Sequence, residues 1–282
     1  MVMQRHRDVN AYQEQPMEKV NNAEAIAARV AREKAAHEDS HIDDALHKWW
    51  AAFPHAFSNP SMRCLSAFYT HELGSVQGKV ILDYGCGQGD FALWLLDQGA
   101  TVFGIDVSEF NIQRCEEKAN ALKLDPDRYR FAVMNAHETT FPDKLFDRVV
   151  GNGILHHLEL PAAMTEVDRI LKPGAKALFQ EPLGGNPLLR LHRSVAGIHT
   201  LDERPLRRDD LSYLSEQWSI KTKYSGLVTF PVSLFTSVVL RPYPANWLLR
   251  VATRIEDRFN NHRILEHWNR FAVLVYERAH SR

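Results

Sequence analysis

Cysteine is scarce in this 282-residue chain: Cys64, Cys86 and Cys115 are odd in number and widely spaced. That pattern fits neither a disulfide framework nor a zinc cluster, and no metal site follows from it. An excess of either charge is also lacking. The 34 lysines and arginines are matched by 35 aspartates and glutamates, for a formal net charge of −1. No global field draws such a chain to nucleic acid or to an anionic membrane. Long apolar runs are missing as well. The opening MVMQRHRDVN has no apolar core of a targeting signal, and the most apolar later run, 226–240, is too short to span a bilayer and is broken by Pro231. These absences predict a soluble cytoplasmic protein with no stable membrane insertion and no nucleic-acid partner, and leave a homo-oligomer open. The length suffices for a proper hydrophobic core in one large domain, or in a core with a smaller attachment.

Residues 21–38 are rich in Ala, Glu, Lys and Arg without Gly or Pro, which predicts a helix in an N-terminal helical extension or lid, 1–74. From Lys79 onward short apolar runs alternate with amphipathic stretches: VILDYG, FALWLLDQG, TVFGID, NIQRCEEKANALK, RFAVMN, FDRVVGNG, PAAMTEVDRILKPG and AKALFQEP. Continuous apolar strands joined by helices of this length predict an α/β fold, a parallel sheet covered on both faces. Pro161 should open one helix, and Lys172, Pro173 and Gly174 should close it. This core runs over 75–182. Beyond it, 183–282 is read as the remaining core with cap insertions: a loop with a short helix, a helix RDDLSYLSEQW, a strand SIKTKYSGL, an apolar and aromatic insertion over 228–268, and a last strand RFAVLVYER.

The most informative stretch is VILDYGCGQGD, 80–90, a strand ending in Asp83 followed by glycines at 85, 87 and 89. Without a Cβ such a turn can take positive φ and let the backbone approach a ligand where the next helix begins. A dinucleotide fingerprint places two residues between its second and third glycines; here Gln88 stands alone, which argues against NAD. VFGID presents Asp106 at the end of the second strand, 21 residues after Gly85, a placement suited to a carboxylate accepting both hydroxyls of a ribose. Asp106 could instead cap the next helix, a task open to Ser108. The glycines could also merely shape a tight turn.

Here the chain resembles the class I S-adenosylmethionine-dependent methyltransferases over residues 75–182, through LDYGCGQGD, GIDVS, FDRVVGNGILHHL and RILKPGAKALFQEP. The resemblance implies a Rossmann-like, seven-stranded, mostly parallel sheet and S-adenosylmethionine as cofactor. Asp83, Gly85, Cys86 and Gly87 match positions beside its methionine part. Asp106 matches the ribose acid, Val107 a residue packed on adenine, and Asn135, Ala136 and His137 the turn at the adenine edge. Family members usually carry Asp where Asn135 stands. Gly151, Asn152 and Gly153 should border the methionine end, and no Asn-Pro-Pro-aromatic tetrad occurs there, which disfavours methylation of exocyclic amino groups. His157 and Glu181 are candidate proton acceptors, weighed against packing or hydrogen-bonding roles for the His156–His157 pair and helix closure for Glu181.

Substrate-facing walls are expected outside this shared core. Candidates are Trp49, Trp50, Phe53 and Phe57 in the run KWWAAFPHAF, then Arg190, His192 and Arg193 after the core, and Phe230, Phe235, Tyr243 and Trp247 in the late insertion. Apolar walls imply a small hydrophobic natural product. The first reading is C-methylation of an isoprenoid such as farnesyl diphosphate, through a carbocation met by aromatic faces and a diphosphate met by the cations, with cyclisation able to follow. O- or N-methylation of a small aromatic metabolite is the alternative, and a cofactor-binding protein without turnover is a third.

Overall fold

The computed structural model describes residues 28, 30, 31, 51–186, 189, 204–260 and 265–279. Of the expected N-terminal helix, residues 28, 30 and 31 are helical; Trp49, Trp50, Arg190, His192 and Arg193 lie outside the described residues.

After a short 3-10 turn at Pro54–Ala56, helix α1 (Pro60–Leu73) leads into β1 (Val80–Tyr84), α2 (Asp90–Asp97), β2 (Thr101–Asp106), α3 (Glu109–Ala121), β3 (Tyr129–Val133), β4 (Phe146–Asn152), α4 (Leu160–Ile170) and β5 (Leu171–Pro182). Helix α5 (Arg208–Trp218), β6 (Lys221–Ser225), α6 (Thr229–Val239), α7 (Trp247–Phe259) and β7 (Phe271–Glu277) follow. The strands form one seven-stranded sheet in the order β3-β2-β1-β4-β5-β7-β6. Every neighbouring pair is parallel except those made by β7, which runs antiparallel to both β5 and β6. Two apolar layers cover the sheet. Tyr84, Phe146, Met164 and Phe179 anchor one, and Leu65, Ile81, Leu95 and Val150 the other. That is why the central strands read as unbroken apolar runs. The chain reverses its direction of winding between β1 and β4, so the carboxyl ends of β1, β2 and β4 open a crevice there.

One boundary differs from expectation. Helix α4 stops at Ile170, and Lys172, Pro173 and Gly174 belong to the irregular start of β5, where the register on β4 jumps from Phe146↔Leu171 to Arg148↔Lys176. Pro173 can sit in a strand because the ladder is interrupted at that point.

Past the end of β6, a buried carboxylate organises the chain. Glu256 on α7 accepts from the Gly226, Val228 and Thr229 amides at 3.0, 2.8 and 2.8 Å and from Thr229 Oγ1 at 2.9 Å. Ser61 of α1 also donates to it. Removing this acceptor would leave buried amide donors unpaired, a cost of order 1–3 kcal/mol each. Glu256→Ala should therefore lower unfolding free energy by about 3 kcal/mol or more in urea titration. A loss under about 1 kcal/mol would show that water replaces the carboxylate.

Candidate active site

The glycine loop after β1 is shaped by local chemistry. Gly85 has φ +76° and Gly87 φ +49°, values that L side chains rarely adopt. A Cβ at Gly85 would lie 2.7 Å from the Ile154 side chain, whereas one at Gly87 would meet nothing within 4 Å and would project into open space. Gly85 is closed in by protein; Gly87 leaves room for a ligand to reach the backbone. The loop is laced to the tip of β2: Gly85 N and Cys86 N both donate to Ile105 O at 2.9 Å, and Gly87 N donates to Asp106 Oδ2 at 2.9 Å.

Asp106 Oδ1 accepts from Ser108 N at 2.9 Å and from Asn111 Nδ2 at 3.3 Å. The α3 N-cap belongs to Ser108, whose hydroxyl accepts from Asn111 N at 3.3 Å. With capping assigned there, Asp106 keeps acceptor capacity at the cleft. Gly85, Gly87, Asp106, Val107, Asn135, Ala136, Asn152 and His157 all line one cleft. Val30, Ile105, Asn111, Met134, His137, Gly153, Ile154 and Leu158 complete its walls. None of the described lining residues is Lys or Arg.

Of the other expected cofactor residues, Cys86 and Gly151 lie away from the lining. Cys86 is buried beneath the loop, with its Sγ 3.9 Å from Cys115 Sγ. Gly151 packs against Ile154 and Phe179, where a Cβ would come within 2.8 Å of both. The Asn135 side-chain oxygen accepts from His137 N at 3.0 Å and from His137 Nδ1 at 2.9 Å, so the acceptor expected to meet an adenine amine is engaged in its own turn. His137 Nε2 accepts from Glu159 N at 2.9 Å, which places the ring proton on Nδ1.

Glu181 is fully buried and is not itself one of the cleft-lining residues. Its Oε1 accepts from Ile154 N at 3.0 Å and Leu155 N at 2.9 Å, and its Oε2 from His156 N at 3.4 Å and His156 Nδ1 at 2.7 Å. Four donors fill the roughly four acceptor sites of a carboxylate. Expected as a proton acceptor, Glu181 is placed under the Leu155–His157 turn, holding it and with it the His157 ring, whose centroid lies 4.0 Å from that of the His156 ring.

None of the expected aromatic wall residues among the described residues lines the cleft. Phe53 and Phe57 pack with Ala56, Leu189 and Phe230 in a satellite core, and the Arg270 guanidinium lies over Phe57 and Phe230 at 4.3 and 4.8 Å. Phe235, Tyr243 and Trp247 face solvent. What lines the cleft instead is Met134, Ile154 and Leu158, legible only as apolar residues immediately following strands β3 and β4. Val30 comes from the N-terminal extension, which was expected to act as a lid.

Residues 82–179 match the family described as a methyltransferase domain. The chain is 30% identical over 153 residues to a ubiquinone biosynthesis O-methyltransferase of Alkalilimnicola ehrlichii, a match covering 54% of this chain and 61% of that protein. It is 33% identical over 109 residues to a fatty-acid O-methyltransferase of Mycolicibacterium smegmatis, covering 38% of each. The chain thus spans less than two thirds of the length of either relative. Geranyl diphosphate C-methyltransferase from Streptomyces coelicolor, solved with Mg2+, geranyl diphosphate and S-adenosyl-L-homocysteine, shares the fold at TM-score 0.51 and 16% identity, over 76% of this chain and 79% of that one.

The cleft suits a cationic nucleoside such as S-adenosylmethionine. Asp83 lies buried at the end of β1, and its Oδ2 has no hydrogen-bond partner among the described residues. Burial, then the Asp106 charge, push its carboxyl up to about 7, against a backbone hydrogen bond from Ala92 that lowers it. An acid so poorly satisfied gains from a positive charge placed nearby. The sign for stability follows. The unfolded carboxyl titrates near 3.8 and the folded one near 7, so between those values the native state binds more protons and stability falls as pH rises. Asp83→Asn should flatten this slope: the protein without ligand should lose up to about 3 kcal/mol less than wild type between pH 5 and pH 8, as the roughly two pH units below the folded value, at 1.36 kcal/mol each, imply. Parallel pH profiles of wild type and variant in urea unfolding would contradict the assignment.

Proposed function

We propose that this chain transfers a methyl group from S-adenosylmethionine to a small apolar metabolite. The observation that carries the reading is the conjunction at the switch point: an open backbone cradle at Gly87, tied to the ribose-type acid Asp106, above the under-satisfied carboxyl of Asp83. The cofactor, when bound, supplies an electrophilic methyl on a sulfonium. Gly87 would admit its methionine part, Asp106 would accept from its ribose hydroxyls, and Val107, Met134 and Ala136 would offer apolar surface to its base. Transfer is an in-line displacement, so alignment and exclusion of water are the main tasks left to the protein. Ile154 and Leu158 keep that end of the cleft apolar, and Glu181 with His156 fixes the turn that carries His157.

His157 at the cleft, with no described lysine or arginine lining it, favours O-methylation of an apolar phenol or acid, with the imidazole accepting the acceptor's proton. The names of the ubiquinone and fatty-acid O-methyltransferase relatives agree with that choice. C-methylation of a prenyl diphosphate is the second reading. The fold shared with a geranyl diphosphate C-methyltransferase supports it, and its diphosphate would call on Arg190, His192 and Arg193.

Methyl-labelled cofactor offered with quinols, phenols, fatty acids, and geranyl and farnesyl diphosphates tests the reading. Label in a methyl ether or ester supports the first choice and label in a hydrocarbon the second. Label that never leaves a demonstrably bound cofactor reduces the chain to a binding protein. Asp106→Ala should weaken S-adenosylhomocysteine binding about tenfold or more in calorimetry, at roughly 1.5–3 kcal/mol for hydrogen bonds to a charged group. Unchanged affinity would count against the ribose role. His157→Ala should lower kcat by about 10²–10⁴ while leaving that affinity within a few fold; unaltered kcat would remove the imidazole from the chemistry.

A further inference from the structure

Helix α6 is inside out. Its buried face carries Thr229, Ser233, Thr236 and Ser237 beside Phe230, while Phe235, Val238 and Val239 face outward, 58%, 72% and 57% exposed. A helix at a water-facing surface ordinarily shows the reverse pattern. The inward hydroxyls are bound in place. Thr236 Oγ1 lies 2.9 Å from His55 Nδ1, Ser237 Oγ accepts from His55 N at 3.0 Å, and Thr229 is tied to Glu256. The outward apolar face is thus fixed by polar bonds behind it.

The surface continues. Tyr243 in the loop and Trp247 at the start of α7 are 65% and 67% exposed. Trp247, Val251 and Ile255 recur every fourth residue, so they share one face of α7, while Leu249, Ala252, Thr253 and Glu256 face inward. Arg250, Arg254 and Arg258 repeat at the same interval beside that apolar stripe, and Arg241 lies in the loop. Against these four exposed arginines the segment 229–259 has one exposed acid, Asp257, 3.7 Å from Lys223. A chain that is nearly neutral as a whole therefore has a locally basic, aromatic-edged apolar face.

We propose that the α6–α7 cap is a peripheral docking surface for an anionic lipid bilayer. Exposed Trp and Tyr beside a Val/Ile stripe, flanked by arginines, are what an interfacial helix presents to the boundary between headgroups and acyl chains. Each basic group near an anionic surface contributes about 1 kcal/mol. No described helix is long and apolar enough to cross a membrane, so the contact is superficial. A second copy of the chain fits the charge less well: two-fold pairing through this face would bring one arginine row close to the other with hardly any acid to meet it. The cap follows β6, whose end at Ser225 pairs with Phe271, the residue also paired with Pro182 at the end of β5. It therefore stands at the same edge of the sheet as the cleft. The docking itself does not depend on the methyltransferase reading.

The test is co-sedimentation of the full chain with phosphatidylcholine vesicles with and without phosphatidylglycerol, in the absence of any methyl acceptor. Binding should require the anionic lipid and weaken with salt. Because the substituted side chains are exposed, Trp247→Ser with Ile255→Ser, and separately Arg250→Glu with Arg254→Glu, should keep the wild-type melting curve. Each pair should lower partitioning at least about tenfold, the equivalent of 1.4 kcal/mol. No binding to either vesicle, binding indifferent to the anionic lipid, or binding that both variants retain would overturn the proposal. A dimer in sedimentation velocity that the Trp247 and Ile255 changes dissociate, with no vesicle binding by wild type, would assign the face to self-association instead.

Discussion

The hydrogen bond from the Gly87 amide to the Asp106 carboxylate ties the tips of two neighbouring strands into one binding edge. Together with the Gly85 and Cys86 amides on Ile105 O, it sets the path of the loop, and the loop's path decides what the crevice can admit. A side chain at 85 would collide with Ile154, so the loop also fixes how closely the turn after β4 can approach. The cleft's two sides are therefore set by one backbone contact rather than by independent loops. Preorganisation of this kind lets a reaction that needs mainly alignment proceed without a large catalytic apparatus.

Buried carboxylates do the corresponding work at other junctions. Glu181 gathers the amides of the turn bearing His157, Glu256 gathers those that start α6, and Glu166 on α4 accepts from Thr139 N at 2.8 Å while pairing with Arg169 at 2.6 Å. Each replaces water at backbone donors that would otherwise be buried without partners. Asp83 is the exception. Its second oxygen has no such donor among the described residues, and its raised pKa reflects that. The contrast between satisfied and unsatisfied acids distinguishes scaffold from site more sharply than their positions in the sequence do.

The sheet was legible because burial on both faces leaves unbroken apolar strands, and the glycine loop and Asp106 because their chemistry depends on neighbours close in the chain. What escaped was long-range. Arg270 donates to the Ala56 carbonyl and covers Phe57, a contact across more than two hundred residues that turns an apparent aromatic lid into a satellite core. Glu181 meets its amide donors some 25 residues away, so a carboxylate at a strand end looked free to act on substrate. The outward-facing valines of α6 escaped for a related reason: composition gives a helix's apolar content, while the side on which it packs is decided by partners such as His55 and Glu256.

A crystal structure of the full chain with S-adenosylhomocysteine examines the central claim most directly. The account predicts the ribose hydroxyls on Asp106, the amino-acid portion beside Gly85 and Gly87, and its ammonium on the Asp83 side of the loop. A nucleoside seated elsewhere, or a ribose that leaves Asp106 bonded only to its own backbone neighbours, would contradict it.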